Sequence, residues 1–535
     1  MSKLRKILNK FPFYILFFPW YSILFLYDHN FVKLSFKVIV IPFLITTLAC
    51  LFIWFIFRLI FRKSIKAGIL VGFLLLIIFM YGPLHKLAFF DTFNIGIIPI
   101  DWSWVYLFLS LVLLIGSAIY LIKAKRELIR LNNILNIGGV ILMILVLGPL
   151  IYNYIRIHVD FSPDSIDQTG ASETVTPGDN AQPVEKPDIY YIIPDDYGAP
   201  QTFKDDYGYD SSDFVNYLKK KGFYIAENSK TNYPYSAYMI ASALSMNYLN
   251  SQTQPKIKTQ PGGTVIDNII NNSKVVHFLK SQGYSFFNIG GWYDPLRYND
   301  SADINFVYDN KLNLDEFSNT LLHNTIFYPL VLRYFGLSGR PNQIANVNYQ
   351  FETLSQMPAQ ISPKFVFIDL LAPHTPWVFN ENCDVVYHLQ KDPAIVKFIP
   401  EMTCVNKRLM TVIDTILKNS KTPPIIILQS DEGAKDGNNQ AIKYPNKTGV
   451  VGGFKDASID TNLERVRILN AFYLPGNHQA KLYPEISPVN TFRYIFDEYF
   501  NNKLPLLPDQ VYTFDDYDKL YRFIFNDITD QVKDL

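Results

Sequence analysis

The stretch Asp188-Ile-Tyr-Tyr-Ile-Ile-Pro-Asp195-Asp196-Tyr197-Gly198 decides how the polar part of this chain folds. Five β-branched or aromatic residues follow one another without polar alternation, and two acids end the run. A strand wetted on one face alternates; a strand covered on both faces, as in a parallel sheet, does not. Two later runs read the same way. Lys364-Phe-Val-Phe-Ile-Asp-Leu-Leu371 leads into Ala372-Pro-His374-Thr-Pro-Trp377, and Pro424-Ile-Ile-Ile-Leu-Gln429 leads into Ser430-Asp431-Glu432-Gly433. Amphipathic stretches at 214–221 and 275–282, the second followed by a strand-like 284–289, alternate with them. Strands alternating with helices predict an α/β domain with a mostly parallel sheet, in which ligands gather at the carboxyl ends of strands. Three strand ends here carry groups suited to metal or acid–base chemistry.

Toward the N-terminus the composition changes. Five apolar runs, at 11–26, 38–60, 67–81, 102–122 and 134–155, approach or exceed the ~20 residues a helix needs to cross a bilayer. The first and third are short. The first has no clear small-residue cleavage site and is followed by more apolar runs, so it is not read as a cleavable leader. Lys3, Arg5, Lys6 and Lys10 precede the first run; Arg58, Arg62, Lys63 and Lys66 lie between the second and third; Lys123, Lys125, Arg126 and Arg130 lie between the fourth and fifth. The positive-inside rule places these on the cytoplasmic side, with Trp102, Trp104 and Tyr106 at the outer interface. The expected organisation is a helical membrane domain at 1–156, a Ser/Thr/Asp/Gly/Pro-rich linker at 157–186 and an extracytoplasmic α/β domain at 187–535 of a multi-pass plasma-membrane protein. Ionisable residues are nearly absent inside the runs, which argues against a transport pathway and for an anchor. A net charge of +1 gives no basic face for nucleic acid.

Thr231-Asn-Tyr-Pro-Tyr-Ser236 precedes a helix-like stretch at 237–249. A hydroxyl at a helix start faces backbone N–H groups and the positive end of the dipole, a good place for an anion; Ser236 also reads as an ordinary N-cap. Arg297, after the Gly290-Gly-Trp-Tyr-Asp turn, could touch an anionic substrate, although an exposed arginine is the plainer expectation. Arg465 and Arg467 read as ion-pair partners before a strand-like 469–474. Of three cysteines, Cys50 lies in an apolar run, and Cys383 and Cys404 could pair in an oxidising compartment, a bridge contributing on the order of 3 kcal/mol; two unrelated thiols are the alternative.

Taken in order, Asp195-Asp196-Tyr-Gly, Asn232-Tyr-Pro-Tyr-Ser236, Pro373-His374-Thr-Pro, Gln429-Ser-Asp431-Glu432-Gly, Arg467-Ile-Leu-Asn-Ala-Phe-Tyr-Leu-Pro-Gly476 and Ile486-Ser-Pro-Val-Asn-Thr-Phe-Arg493 resemble lipoteichoic acid synthases and the membrane-bound sulfatase-like hydrolase/transferases of the alkaline phosphatase superfamily. The resemblance spans almost the whole chain. It implies one divalent cation held by Asp195, Asp196, Ser236, Asp431 and Glu432, with Ser236 as nucleophile and His374 at the substrate or leaving group. Two positions depart from the pattern. Serine stands where these transferases usually carry threonine, with Thr231 nearby as a second candidate. The late pair is Asp431-Glu432 in place of Asp-His. An all-oxygen donor set favours Mn²⁺ or Mg²⁺, with Ca²⁺ or Zn²⁺ as alternatives. The sulfatase signature Cys/Ser-x-Pro-x-Arg is absent.

The expected function is metal-dependent transfer or hydrolysis of a phosphorus-centred ester through Ser236, on a membrane lipid, lipid-linked or glycan substrate of the cell envelope. The alternatives are an envelope binding module that has lost its metal and a sulfate-ester hydrolase.

Overall fold

The structure, a computed structural model, describes residues 11–30, 36–87, 92–95, 98–124, 128–159, 186–250, 262–291, 296–308, 315–328, 340–386, 394–434, 454, 457–476, 478–516, 519–520 and 522–533. Most of the expected linker lies outside the described residues. The chain divides into two compact units. One comprises Met1–Phe161 with Asn310–Ser338, and the other Ser162–Asp309 with Gly339–Leu535.

The first unit holds helices α1 (Tyr14–His29), α2 (Lys37–Phe61), α3 (Ser64–Leu87), α4 (Trp102–Lys123) and α5 (Ile129–Val159). Four of them, α2 to α5, are long and apolar enough to cross a membrane. α1, at 16 residues, is short for a crossing. Its position is fixed by polar contacts. The Tyr14 N–H donates to Asn136 Oδ1 at 3.2 Å, and Trp20 Nε1 donates to Thr47 Oγ1 at 2.9 Å. At the opposite end from the α3–α4 turn, Lys66 Nζ donates to the carbonyls of Leu121 and Ala124 at 2.6 and 2.8 Å, a cation on the last turn of α4. In apolar surroundings such groups need partners inside the protein.

One segment differs from the expected organisation. Asn310–Ser338, assigned from sequence to the α/β domain, groups with the helical unit. Its helix Glu316–His323 buries Phe317 and Leu321 against α1, α2 and α5. Side chains about 170 to 300 residues apart in sequence make this contact, so no local pattern announces it.

The second unit is built on a seven-stranded sheet. Its strands are β1 (Ile189–Pro194), β2 (Tyr224–Ile225), β3 (Ser285–Ile289), β4 (Ile304–Phe306), β5 (Lys364–Leu370), β6 (Ile425–Gln429) and β7 (Asn470–Tyr473), in the order β2-β7-β6-β1-β5-β3-β4. β4, β3, β5, β1 and β6 run parallel; β7 and β2 close one edge through antiparallel pairs. The mostly parallel α/β sheet expected from the three apolar runs is therefore present. β1 lies at its centre, and all six of its residues are buried. Tyr190 and Ile192 face a core with Phe351, Leu354, Met402 and Leu409. Tyr191, one residue out of phase, meets Phe492 edge to face at 5.2 Å on the other side. The period of two thus turns a continuous apolar run into two cores. α6 (Ser236–Ser245), α7 (Arg340–Gln356), α8 (Ala394–Asn419), α9 (Ile459–Val466) and α10 (Pro488–Phe500) are the helices that matter for the site.

Candidate metal and active site

Register brings the acids together. β1 pairs with β5 so that Ile193 faces Asp369, and with β6 so that Ile192 faces Leu428. Continued past the strand ends, the second register sets Asp195 level with Asp431. Asp195 N–H donates to Leu370 O at 3.0 Å, so the turn after β1 is pinned to the end of β5. Asp196 then takes a left-handed conformation, φ 64°, a region that aspartate tolerates better than most residues. This directs its N–H to Asp431 Oδ1 at 3.2 Å. Tyr197 N–H donates to Ser430 Oγ at 3.0 Å. The turns after β1 and β6 are thereby locked to each other.

One carboxylate oxygen from each of Asp195, Asp431 and Glu432 can be chosen so that all three lie within 4.8 Å of one another, and all three residues are buried. Asp431 and Glu432 are 0% exposed. Three carboxylates so close and so dry repel one another strongly unless a cation is shared among them. Among the described residues Asp431 Oδ2 has no hydrogen-bond partner. A buried carboxylate oxygen without a donor beside two other carboxylates fits a divalent ion. Oxygen donors of this kind suit a hard cation. Asp195, Asp431 and Glu432 are the residues that would hold it.

Two further residues belong to the cluster. Arg465, from the last turn of α9, places Nη2 3.0 Å from Glu432 Oε2. The sequence reading made it an ion-pair partner; its partner turns out to be one of the three clustered acids. Asp369, inside β5, was not singled out. It is buried, and its Oδ1 has no hydrogen-bond partner among the described residues. Burial, reinforced by the charges of Asp431 and Asp196, pushes its carboxyl well above the usual value. Gln350 of α7 holds the adjoining backbone, donating to Asp369 O at 2.6 Å and accepting from Leu371 N at 3.0 Å. A lone acid within an otherwise apolar central strand was the available signal.

His374 lies in the loop after β5. Its Nε2 is 3.9 Å from Asp196 Oδ2, and its Nδ1 is 2.6 Å from Thr375 O. The second acid of the Asp-Asp pair thus reaches the histidine, and the first reaches the acid cluster. Glu401 of α8 supports the same loop, accepting from the N–H groups of Val378 and Phe379 at 2.8 and 2.7 Å. Cys383 and Cys404 are joined by a disulfide that ties the chain just beyond this loop to α8.

Ser236 is the first residue of α6 and is half-buried. Two contacts locate it. Five residues earlier, Thr231 Oγ1 lies 2.6 Å from Asp431 O; one turn later, Met239 Sδ lies 4.0 Å from the hydroxyl of Tyr191. The start of α6 is therefore held between β1 and the loop after β6. Thr231 is fully buried with its hydroxyl donating to the carbonyls of Asp431 and Tyr233, so it fastens the loop. Arg297 is not the exposed residue expected. It is 6% exposed and its guanidinium lies 5.4 Å from the ring of Tyr298.

No family model and no curated protein matches this chain. Solved structures do. The C-terminal periplasmic domain of EptC from Escherichia coli is 13% identical with a TM-score of 0.38, over 64% of this chain and 95% of that one. A protein in the alkaline phosphatase superfamily from Vibrio parahaemolyticus is 12% identical with a TM-score of 0.38, over 62% and 74%. The C-terminal periplasmic domain of the phosphoethanolamine transferase EptC from Campylobacter jejuni is 12% identical with a TM-score of 0.36, over 64% and 94%.

Proposed function

We propose that the α/β unit is a metal-dependent hydrolase or transferase of phosphorus-centred esters. In this reading it works beside the outer face of a membrane that α1 to α5 span several times, with the N-terminus on the cytoplasmic side. The observation that carries the reading is the convergence of buried Asp195, Asp431 and Glu432, with one oxygen of Asp431 lacking a donor among the described residues. The order of the motifs, which resembles the sulfatase-like transferases, supports it.

Asp195, Asp431 and Glu432 would hold a divalent cation, Mn²⁺ or Mg²⁺ by the oxygen donor set, which when bound would supply Lewis acidity toward phosphoryl oxygens and a nearby hydroxyl. Ser236 Oγ, its proton released to solvent water, forms a bond to phosphorus as the bond to the leaving oxygen breaks. His374, its ring held at Nδ1 by the Thr375 carbonyl and lying beside Asp196, delivers a proton to that oxygen. Water or an acceptor hydroxyl releases the group from Ser236. The start of α6 carries the positive end of its helix dipole, which favours negative charge on the substrate. An anchor of membrane-spanning helices supports a lipid or lipid-linked glycan as the substrate class.

The test is turnover of phosphodiester, phospholipid head-group and aryl sulfate substrates by the full chain in detergent, with and without chelator, beside Ser236→Ala. Chelator-sensitive phosphodiester turnover lost in Ser236→Ala is the expected result. Turnover unchanged in that variant removes Ser236 from the mechanism, and turnover of sulfate esters alone selects the sulfatase reading. The Arg465–Glu432 pair favours one second reading, a binding module in which arginine has taken over part of the cation's role. It is selected if no divalent ion binds.

A further inference from the structure

We infer that residues 315–328 form a hook: a second attachment of the α/β unit to the membrane helices, independent of the linker at 157–186. These residues group with the helical unit, although the sequence on both sides of Asn310–Ser338 groups with the α/β unit. Within the helical unit its contacts are specific. Phe317 and Leu321, 4% and 9% exposed, pack with Ile23, Leu24, Tyr27, Ile39 and Val146. Asp315 caps the short helix, its side chain accepting from Ser318 N–H at 2.6 Å.

The backbone engages as well. Ile326 N–H donates to Ile78 O at 3.1 Å, and Gly82 N–H donates to Asn324 O at 3.2 Å. Ile78 O and Gly82 N–H are the pair that an undisturbed α-helix closes on itself. Here the hook serves both, one residue before Pro83, which has no N–H to offer the preceding turn. Gly82 is required by this approach. A Cβ there would meet Asn324 Cα at 2.8 Å and its carbonyl oxygen at 2.9 Å. Ile326 fills the gap beside Ile77, Ile78 and Tyr81. An apolar surrounding leaves no water to satisfy these groups, so the exchange ties the hook to α3.

The side on which the hook docks agrees with the charge pattern. It touches the C-terminal parts of α1, α3 and α5 and the N-terminal part of α2, the ends that an up-and-down path gathers on one side. Arg58, Arg62, Lys63 and Lys66 lie at the α2–α3 turn on the other side. The hook therefore sits on the side without the basic loop, the outer side by the positive-inside rule.

The experiment places a site-specific protease sequence within residues 163–180 of the full chain, with an affinity tag at the N-terminus. The protein is cleaved in mild detergent and the tagged helices are captured. The expected result is that the fragment containing 187–535 stays with the tagged helices in the parent, and is released in Phe317→Asp/Leu321→Asp and in Gly82→Leu. Gly82→Leu blocks the dock from the helix side, so loss in both variants does not depend on the hook folding by itself. Release of the fragment from the cleaved parent overturns the inference, as does equal retention in the parent and both variants. No step of this test uses enzymatic turnover, so its failure leaves the reading of the active site untouched.

Discussion

Arg465 is paired with Glu432 at 3.0 Å, and both side chains are buried beside Asp195 and Asp431. One fixed positive charge therefore stands among three carboxylates, leaving two negative charges for one divalent ion to balance. Removing one partner of a buried pair leaves the other charge unpaired, at a cost of roughly 3–5 kcal/mol. Arg465→Met is expected to lower the metal-free melting temperature sharply, and saturating Mg²⁺ or Mn²⁺ to restore more stability to the variant than to the parent. Thermal unfolding with chelator and with each ion measures both. Equal ion-induced shifts in the two proteins would show that the arginine does not share the ion's task.

Gly433 follows these residues, and its glycine is dictated by its neighbours. An added Cβ would lie 2.0 Å from Glu464 O, a backbone atom with no freedom to move aside. The Gly433 N–H donates to Arg465 O at 2.8 Å, so the contact couples the acid loop to α9. Gly433→Ala must displace the loop that carries Asp431 and Glu432. The expected outcome is a loss of divalent-ion affinity of tenfold or more by calorimetry, with circular dichroism close to the parent.

Glu401 makes stability depend on pH. Burial raises its carboxyl to about 7 from an ordinary 4.5; hydrogen bonds from Phe379 and Val378 and the charge of Arg408 oppose the rise. Between these values the unfolded chain has lost the proton while the folded chain keeps it. Stability therefore falls as pH rises through that window and levels off above it. At 1.36 kcal/mol per pKa unit the full effect is on the order of 3 kcal/mol. Glu401→Gln keeps an oxygen for the two N–H groups that hold the His374 loop and carries no charge. Its melting temperature is expected to change less than the parent's between pH 5 and pH 8.

How much of this was legible in the sequence depends on distance along the chain. The strands ending at Asp195 and Asp431 announced themselves because an apolar run and its terminal acid are local features. Asp369 did not, because apolar neighbours on both sides made it read as part of the strand. Its meaning comes from lying next to β1, which register alone decides. The Cys383–Cys404 pairing stayed open in the sequence because spacing permits a bridge without requiring it. The hook was missed for a stronger reason. Leu321 finds its partners at Ile23, Ile39 and Val146, and nothing near residue 321 encodes that.

Thr231 and Ser236 separate two roles that sequence left open between them. Thr231 Oγ1 is committed to the carbonyl of Asp431 at 2.6 Å, whereas Ser236 opens α6. Thr231→Val keeps the shape and deletes the hydroxyl, leaving a buried carbonyl short of a donor, at roughly 1–3 kcal/mol. The expected result is lower stability and weaker ion binding, with residual turnover that follows ion occupancy. Ser236→Ala is expected to leave the melting temperature within about 1 kcal/mol of the parent in free-energy terms, since a half-exposed site contributes little. It should abolish turnover at every ion concentration. Stability and turnover measured side by side across an ion titration distinguish the two. If turnover in Thr231→Val stayed at zero with the ion site saturated while Ser236→Ala kept activity, the assignments would be reversed.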